Sequence, residues 1–128
     1  MHRLVLVVLE VADLAASAAL YREAFGIDLH PGADNNASGD RWIDGAHAAV
    51  SWSGGGFLHF ALYQAKSPDQ TTRLAQVGFF CSDVNAAHAV AVKYGARVIH
   101  APRQEPWGIT ARYEDLDGNV VSLTQSNE

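Results

Sequence analysis

Cysteine is almost missing from this chain. The single one, Cys81, excludes an intrachain disulfide and a cysteine-based zinc cluster. It ends the apolar run Val77-Gly78-Phe79-Phe80-Cys81, so it reads as a buried structural thiol. Positive charge is also sparse, with 9 Lys and Arg against 14 Asp and Glu and a formal net charge of −5. No basic cluster or Lys/Arg-lined helix is present, which argues against a nucleic-acid partner. A mildly acidic chain tolerates or attracts a cationic small molecule. No apolar run approaches the roughly 20 residues that span a bilayer. The apolar start, Met1 to Leu9, stops at Glu10 without a small-residue cleavage site and reads as a strand rather than a signal peptide. A cytoplasmic protein without a membrane partner is expected. Two familiar chemistries are absent as well. There is no Gly-x-Ser-x-Gly nucleophile motif, and Gly54-Gly55-Gly56 lacks the Lys-Ser/Thr of a phosphate loop and reads as a hairpin turn.

What is present is apolar. Hydrophobic residues make up 48% of 128 residues, enough for a sizeable core in one domain or in two small halves that share one. Leu4 to Val11 is a β-prone run. Asp13 is placed as a helix N-cap, and Leu14, Ala18, Tyr21 and Phe25 form the apolar stripe of a helix that Gly26 ends. Ile27 to His30 continues as a short extended piece closed by Pro31-Gly32, and a polar loop follows to Asp40. Three short strands are expected at about Arg41–Ile43, His47–Trp52 and Phe57–Gln64. In the last, His59, Tyr63 and Phe57 share one face, opposite Leu58, Phe60 and Leu62.

Residues 65–73 are polar and read as a linker between a first module, 1–64, and a second, 74–128, within one structural domain. The second module repeats the order. Leu74 to Cys81 is a strand, Asp83 a helix cap, and Val84 to Tyr94 a helix with Val84, Ala87, Ala91 and Tyr94 on one stripe, ended by Gly95. Arg97 to Ala101 is a strand and Pro102 to Gly108 a loop. Two further strands are joined by a turn at Asp117-Gly118-Asn119, where Gly and Asn tolerate positive φ. Asp83 follows Asp13 by 70 residues and Gly95 follows Gly26 by 69, so each half reads as strand, helix, then three strands.

Val11-Ala12-Asp13-Leu14 with Leu20-Tyr21, its counterpart Cys81-Ser82-Asp83-Val84, and Asp115-Leu116-Asp117-Gly118-Asn119 resemble the vicinal oxygen chelate superfamily. This is the group of glyoxalases, bleomycin-resistance proteins and extradiol dioxygenases. The resemblance covers essentially the whole chain. It implies an α+β fold of two βαβββ modules forming an open, U-shaped mixed sheet around a cavity, with helices on the outer faces, often as a homodimer. In the metal enzymes that it brings in, a His or Gln lies seven residues before each capping Asp, and a Glu follows the Asp-Gly-Asn turn. Those positions are here Leu6, Gln76 and Ser122, and a third-strand position falls at His59 or Ala61. A catalytic divalent site needs about three protein ligands. Leu6 cannot bind a metal, Gln76 is a weak donor and Ser122 supplies no carboxylate, so no metal and no cofactor are expected.

The remaining candidates are binding residues. Of six histidines, His47, His59 and His100 lie on expected strands and can face a cavity, whereas His2, His30 and His88 have no metal-pairing spacing. Trp42, Trp52 and Trp107 are bulky enough to need burial or a ligand. Trp107, in Glu105-Pro106-Trp107-Gly108, resembles the Pro-Trp-Gly segment of the superfamily's drug-binding members. The expected ligand-binding set is Trp107, Gln76, Ser122, His59, Tyr63, Phe57, His100 and Trp42, and Leu6, Gln76 and Ser122 should converge on the concave face of one cavity, with or without help from a second chain. The leading expectation is a protein of this superfamily that binds a small aromatic or cationic molecule without a metal. The alternatives are a metal-dependent lyase, isomerase or dioxygenase with a displaced metal site, and an accessory or regulatory ligand-binding protein.

Overall fold

A computed structural model describes residues 2–33, 46–53 and 58–127. The first half runs β1 (Leu6–Val11), α1 (Leu14–Glu23), β2 (His30–Ala33), β3 (Ala46–Trp52) and β4 (Leu58–Gln64). The second runs β5 (Gln76–Phe80), α2 (Val84–Lys93), β6 (Arg97–Glu105), β7 (Gly108–Glu114) and β8 (Val120–Ser126). Each half folds into its own four-stranded sheet, ordered β1-β4-β3-β2 and β5-β8-β7-β6. The first strand of each runs parallel to the last and the other pairings are antiparallel. The fold is α+β, built of two βαβββ modules with open sheets. The expected strand at Arg41–Ile43, and with it Trp42, Phe57 and the glycines at 54–56, lies outside the described residues.

The repeated sequence signals produce repeated local structure. Asp13 and Asp83 are extended and each Oδ1 accepts the amide N–H three residues on, at 3.1 Å. Such a cap stabilises a helix by about 1 kcal/mol. A glutamine late in each module's last strand adds a second acceptor. Gln64 Oε1 accepts the Leu14 N–H and Gln125 Oε1 the Val84 N–H, both at 3.0 Å. Gly26 and Gly95 leave the helices at φ 71° and 95°, a region that L side chains avoid.

Alternation then sorts each sheet into two faces. Val7, Leu9, Val11, Phe60 and Leu62 of the first sheet, and Val77, Phe79, Ile109, Ala111, Tyr113, Val121 and Leu123 of the second, enter a single core. Helix α1 joins the halves. The Tyr21 ring lies 5.8 Å from Phe60 of the first sheet and 6.4 Å from Phe79 of the second, and Phe25 lies 5.9 Å from Tyr113. The residues between these, Leu6, His59 and Tyr63 in one sheet and Gln76, Ser122 and Arg112 in the other, take the opposite, open faces.

The β7–β8 connection is wider than the three turn residues suggest. Asp115 is buried and organises it, its Oδ1 accepting the Asp117 and Asn119 amides at 2.9 Å. Asp115 Oδ2 accepts the Tyr21 hydroxyl at 2.7 Å. Burial, and then the Asp115 charge, push the Tyr21 phenol far up. Asp117 Oδ1 takes the Ala12 N–H at 3.0 Å, and Asn119 bonds the Thr72 carbonyl and the Ala75 amide. The turn thus ties the second module to the start of α1 and to the linker.

Three boundaries differ from the sequence reading. Pro102 to Gly108 is not a loop, because β6 runs to Glu105 and only Pro106-Trp107 turn. Pro102 falls at a register shift between His100 and Arg103, where its missing N–H removes no ladder bond. Pro31 likewise sits inside β2, which is tolerated because β2 is an edge strand. Leu74 lies outside β5, exposed and at φ 61°.

Candidate functional site

The open face of the second sheet is read from its register. One row crosses all four strands, Gly78–Ser122–Arg112–His100. On one side lies Gln76–Val120–Glu114–Arg97 and on the other Phe80–Thr124–Thr110–Arg103. Gln76, Ser122 and His100 therefore share a face, two of them in the same row. The Trp107 indole N–H donates to Thr110 Oγ1 at 3.0 Å, and Thr110 meets Thr124 Oγ1 at 3.1 Å. This anchors the indole to the same face, with the residue still 58% exposed. Gly108, at φ 140°, permits the turn that presents it, since a Cβ there would strike the Gln125 carbonyl.

A cavity of about 750 Å³ opens beside this face. It lies between β1 and β5, each of which has one hydrogen-bonded neighbour and so one free edge. Its walls are Val7, Trp52, Leu58, Phe60, Val77 and Phe79, and Leu4, Ile27 and Phe80 also line it. Its polar side chain is Gln76. Gln76, Gly78 and Phe80 line both the cavity and the open face, so the two form one continuous surface. Phe80 is 83% exposed at their junction. The size falls within the roughly 300–1,000 Å³ of small-molecule sites, and the mainly apolar wall is typical of them.

Leu6, His59 and Tyr63 sit on the open face of the other sheet. Leu6 pairs with His59, Val8 with Ala61 and Glu10 with Tyr63. His59 Nδ1 lies 2.6 Å from Ser51 Oγ, and Tyr63 stacks on His47 at 4.8 Å. The ligand positions of the metal enzymes are thus split within one chain, Leu6 and His59 on the first sheet, Gln76 and Ser122 on the second. Their chemistry does not fit a divalent ion either. Leu6 is apolar, and neither Gln76 nor Ser122 brings the charge that such an ion requires. Among the described residues no three His, Cys, Asp or Glu side chains gather where they could hold a metal.

Other reactive groups are occupied elsewhere. His88 Nδ1 bonds the Tyr113 hydroxyl at 2.8 Å, beneath α2. Burial, with a smaller effect of Cys81, pushes the Tyr113 phenol up to about 12, which keeps it protonated. Burial also raises the Cys81 thiol, which is half-buried and packs against the core.

Periodicity missed two participants. Phe79 and Phe80 line the cavity, but an unbroken apolar run does not reveal which face each residue takes. Strand alternation puts Arg112 on one face with Thr110 and Glu114. Its position beside Ser122 and His100 comes from cross-strand pairing, which spacing along one strand cannot give.

Two sheets with open faces, two capped helices and a shared aromatic core define a two-module α+β protein. Residues 3–123 match the model of the Glyoxalase/Bleomycin resistance protein/Dioxygenase superfamily, and the chain belongs to that family. Among solved structures it is similar to TnmS3, an antibiotic binding protein from Streptomyces sp. CB03234. Identity is 24%, with 99% of this chain and 98% of that one covered, at a TM-score of 0.68. It is also similar to a glyoxalase/bleomycin resistance protein from Streptomyces sp. CB03234, at 25% identity, 96% and 100% coverage and a TM-score of 0.65. TioX from Micromonospora sp. ML1 follows at 20% identity, 98% and 99% coverage and a TM-score of 0.62. No curated protein matches the chain by sequence.

Proposed function

We propose that this protein binds a small aromatic molecule, without a metal, in the cavity between β1 and β5 and over the adjoining open face of the second sheet, and acts by sequestering it. The observation that carries the reading is the cavity of about 750 Å³ walled by Trp52, Phe60 and Phe79, with Phe80 at its rim. Aromatic walls reward a planar ring through dispersion and edge contacts beyond simple area burial. Gln76 and Ser122 supply directional groups beside it, and the Thr110-bonded Trp107 a further aromatic face. Sequestration needs affinity alone, whereas catalysis needs groups that stabilise a transition state more than the substrate. Leu6 and Ser122 at the metal enzymes' ligand positions favour binding. The antibiotic-binding description of TnmS3 agrees with the reading. A homodimer is part of the proposal, supported by the free edges of β1 and β5 and by the exposed Leu4, Leu6 and Phe80 beside them.

The test uses protein dialysed against EDTA and titrated with 2-naphthamide. Tryptophan fluorescence should change saturably, with an unaltered Kd after a divalent metal is added back. Absence of binding, or binding only when metal is restored, would overturn the proposal.

A further inference from the structure

Three arginines stand along the neighbouring strands β6 and β7 of the second sheet, and they are not equivalent. Arg97 is paired with Glu114, and Arg103 with Glu105 at 2.6 Å. Arg112 has no carboxylate partner among the described residues, and the acidic residue two positions along its own strand, Glu114, is the one that Arg97 holds. Arg112 is exposed, and it occupies the middle row of the open face, between Ser122 on β8 and His100 on β6. On this face the Arg97 and Arg103 charges are offset by Glu114 and Glu105, so in a chain of net charge −5 Arg112 is left as the uncompensated cation beside the hydroxyl of Ser122 and the imidazole of His100.

We infer that the molecule taken up by this site is an aromatic acid, whose carboxylate is held by the Arg112 guanidinium while its ring enters the aromatic cavity. The inference rests on the function proposed above and names the ligand class. It replaces a cationic ligand with an anionic one. The distances are compatible. Gly78, at the cavity wall, is registered with Ser122, and Ser122 with Arg112. Neighbouring strands lie ~4.8 Å apart, so the Arg112 backbone stands about 10 Å from Gly78, a span that a long guanidinium side chain and one rigid ring system bridge together. Gly78 leaves the floor between them open, since a Cβ there would meet only Ser122 atoms at 3.9 Å.

The neighbours complete an oxyanion site. Arginine offers a planar fork that matches a carboxylate with two parallel hydrogen bonds. The Ser122 hydroxyl can donate beside it. His100 Nδ1 lies 3.0 Å from the Ala101 carbonyl, which can only accept, so that nitrogen carries a proton.

The experiment compares 2-naphthoate with its neutral isostere 2-naphthamide by calorimetric titration of the full chain, wild type, Arg112→Gln and Arg112→Lys. Arg112 is exposed, so both variants should melt as the wild type does. Wild type should bind the naphthoate about tenfold or more tighter than the naphthamide. Arg112→Gln should abolish that preference, with Arg112→Lys in between because an ammonium lacks the fork. Equal affinities in the wild type would overturn the acid-ligand inference while leaving the binding function standing. A preference that survives Arg112→Gln would remove Arg112 from the role. Failure of both compounds to bind would overturn the underlying function and this inference together.

Discussion

Asp117 shows how a single side chain can be both structural and strained. Its Oδ1 accepts the Ala12 N–H, but its Oδ2 is buried and has no hydrogen-bond partner among the described residues. Burial above all raises its pKa above the ordinary carboxylate value; the Ala12 hydrogen bond opposes it, the neighbouring Asp115 charge adds to the rise by less, and Ser17 and Arg73 oppose it weakly. The folded state therefore holds the Asp117 proton more tightly than the unfolded chain does. The resulting penalty is full at neutral pH and is lifted as pH falls through the raised folded value toward the unfolded one, about 3.9. Asp117→Asn keeps an acceptor for Ala12 and removes the charge. The variant should be more stable than wild type at pH 7, with the difference shrinking by pH 3.5, as read from urea unfolding at both values. A difference that grows in acid would show that the carboxylate is favourably placed.

At the scale of elements, the β6–β7 hairpin carries the most exposed aromatic group of the proposed binding surface after Phe80. Pro106 and Trp107 form its turn, Gly108 closes it in a conformation that a side chain could not adopt, and Thr110 fixes the indole by its N–H. An aromatic group preorganised in this way loses little entropy when a ring stacks on it. Trp107→Ala should weaken 2-naphthamide binding by roughly 1–3 kcal/mol and leave thermal unfolding nearly unchanged, because the residue is mostly exposed. A large loss of melting temperature with unchanged affinity would instead make it a structural residue. The elements themselves were largely legible. Asp13 and Asp83, Gly26 and Gly95, and the Tyr21–Phe25 stripe announce helices and their ends through local chemistry that does not depend on the rest of the chain. The site was legible only in part. The shared face of Gln76 and Ser122 followed from the resemblance. The neighbourhood of Arg112 depends on the register of three strand pairs and on the β-bulges around His100, and the depth of Phe79 depends on packing against α1 of the other module. Those are long-range facts that a run of residues does not encode by itself.

For the whole molecule, the central claim is that the two modules, joined through α1, leave an aromatic cavity that continues onto the open face of the second sheet, and that this surface holds the ligand. Gly78 lies where the two parts meet, in β5, with open space above it and no positive φ to protect. A larger side chain there enters the proposed ligand volume without touching the core residues Val77 and Phe79 on the other face of the strand. The most direct measurement is therefore calorimetric titration of 2-naphthamide into Gly78→Leu beside the wild type, with thermal unfolding of both as the control for folding. The account predicts matching melting curves and a loss of affinity of about tenfold or more in the variant. Undiminished binding by a folded Gly78→Leu protein would contradict it and move the ligand to another part of the molecule.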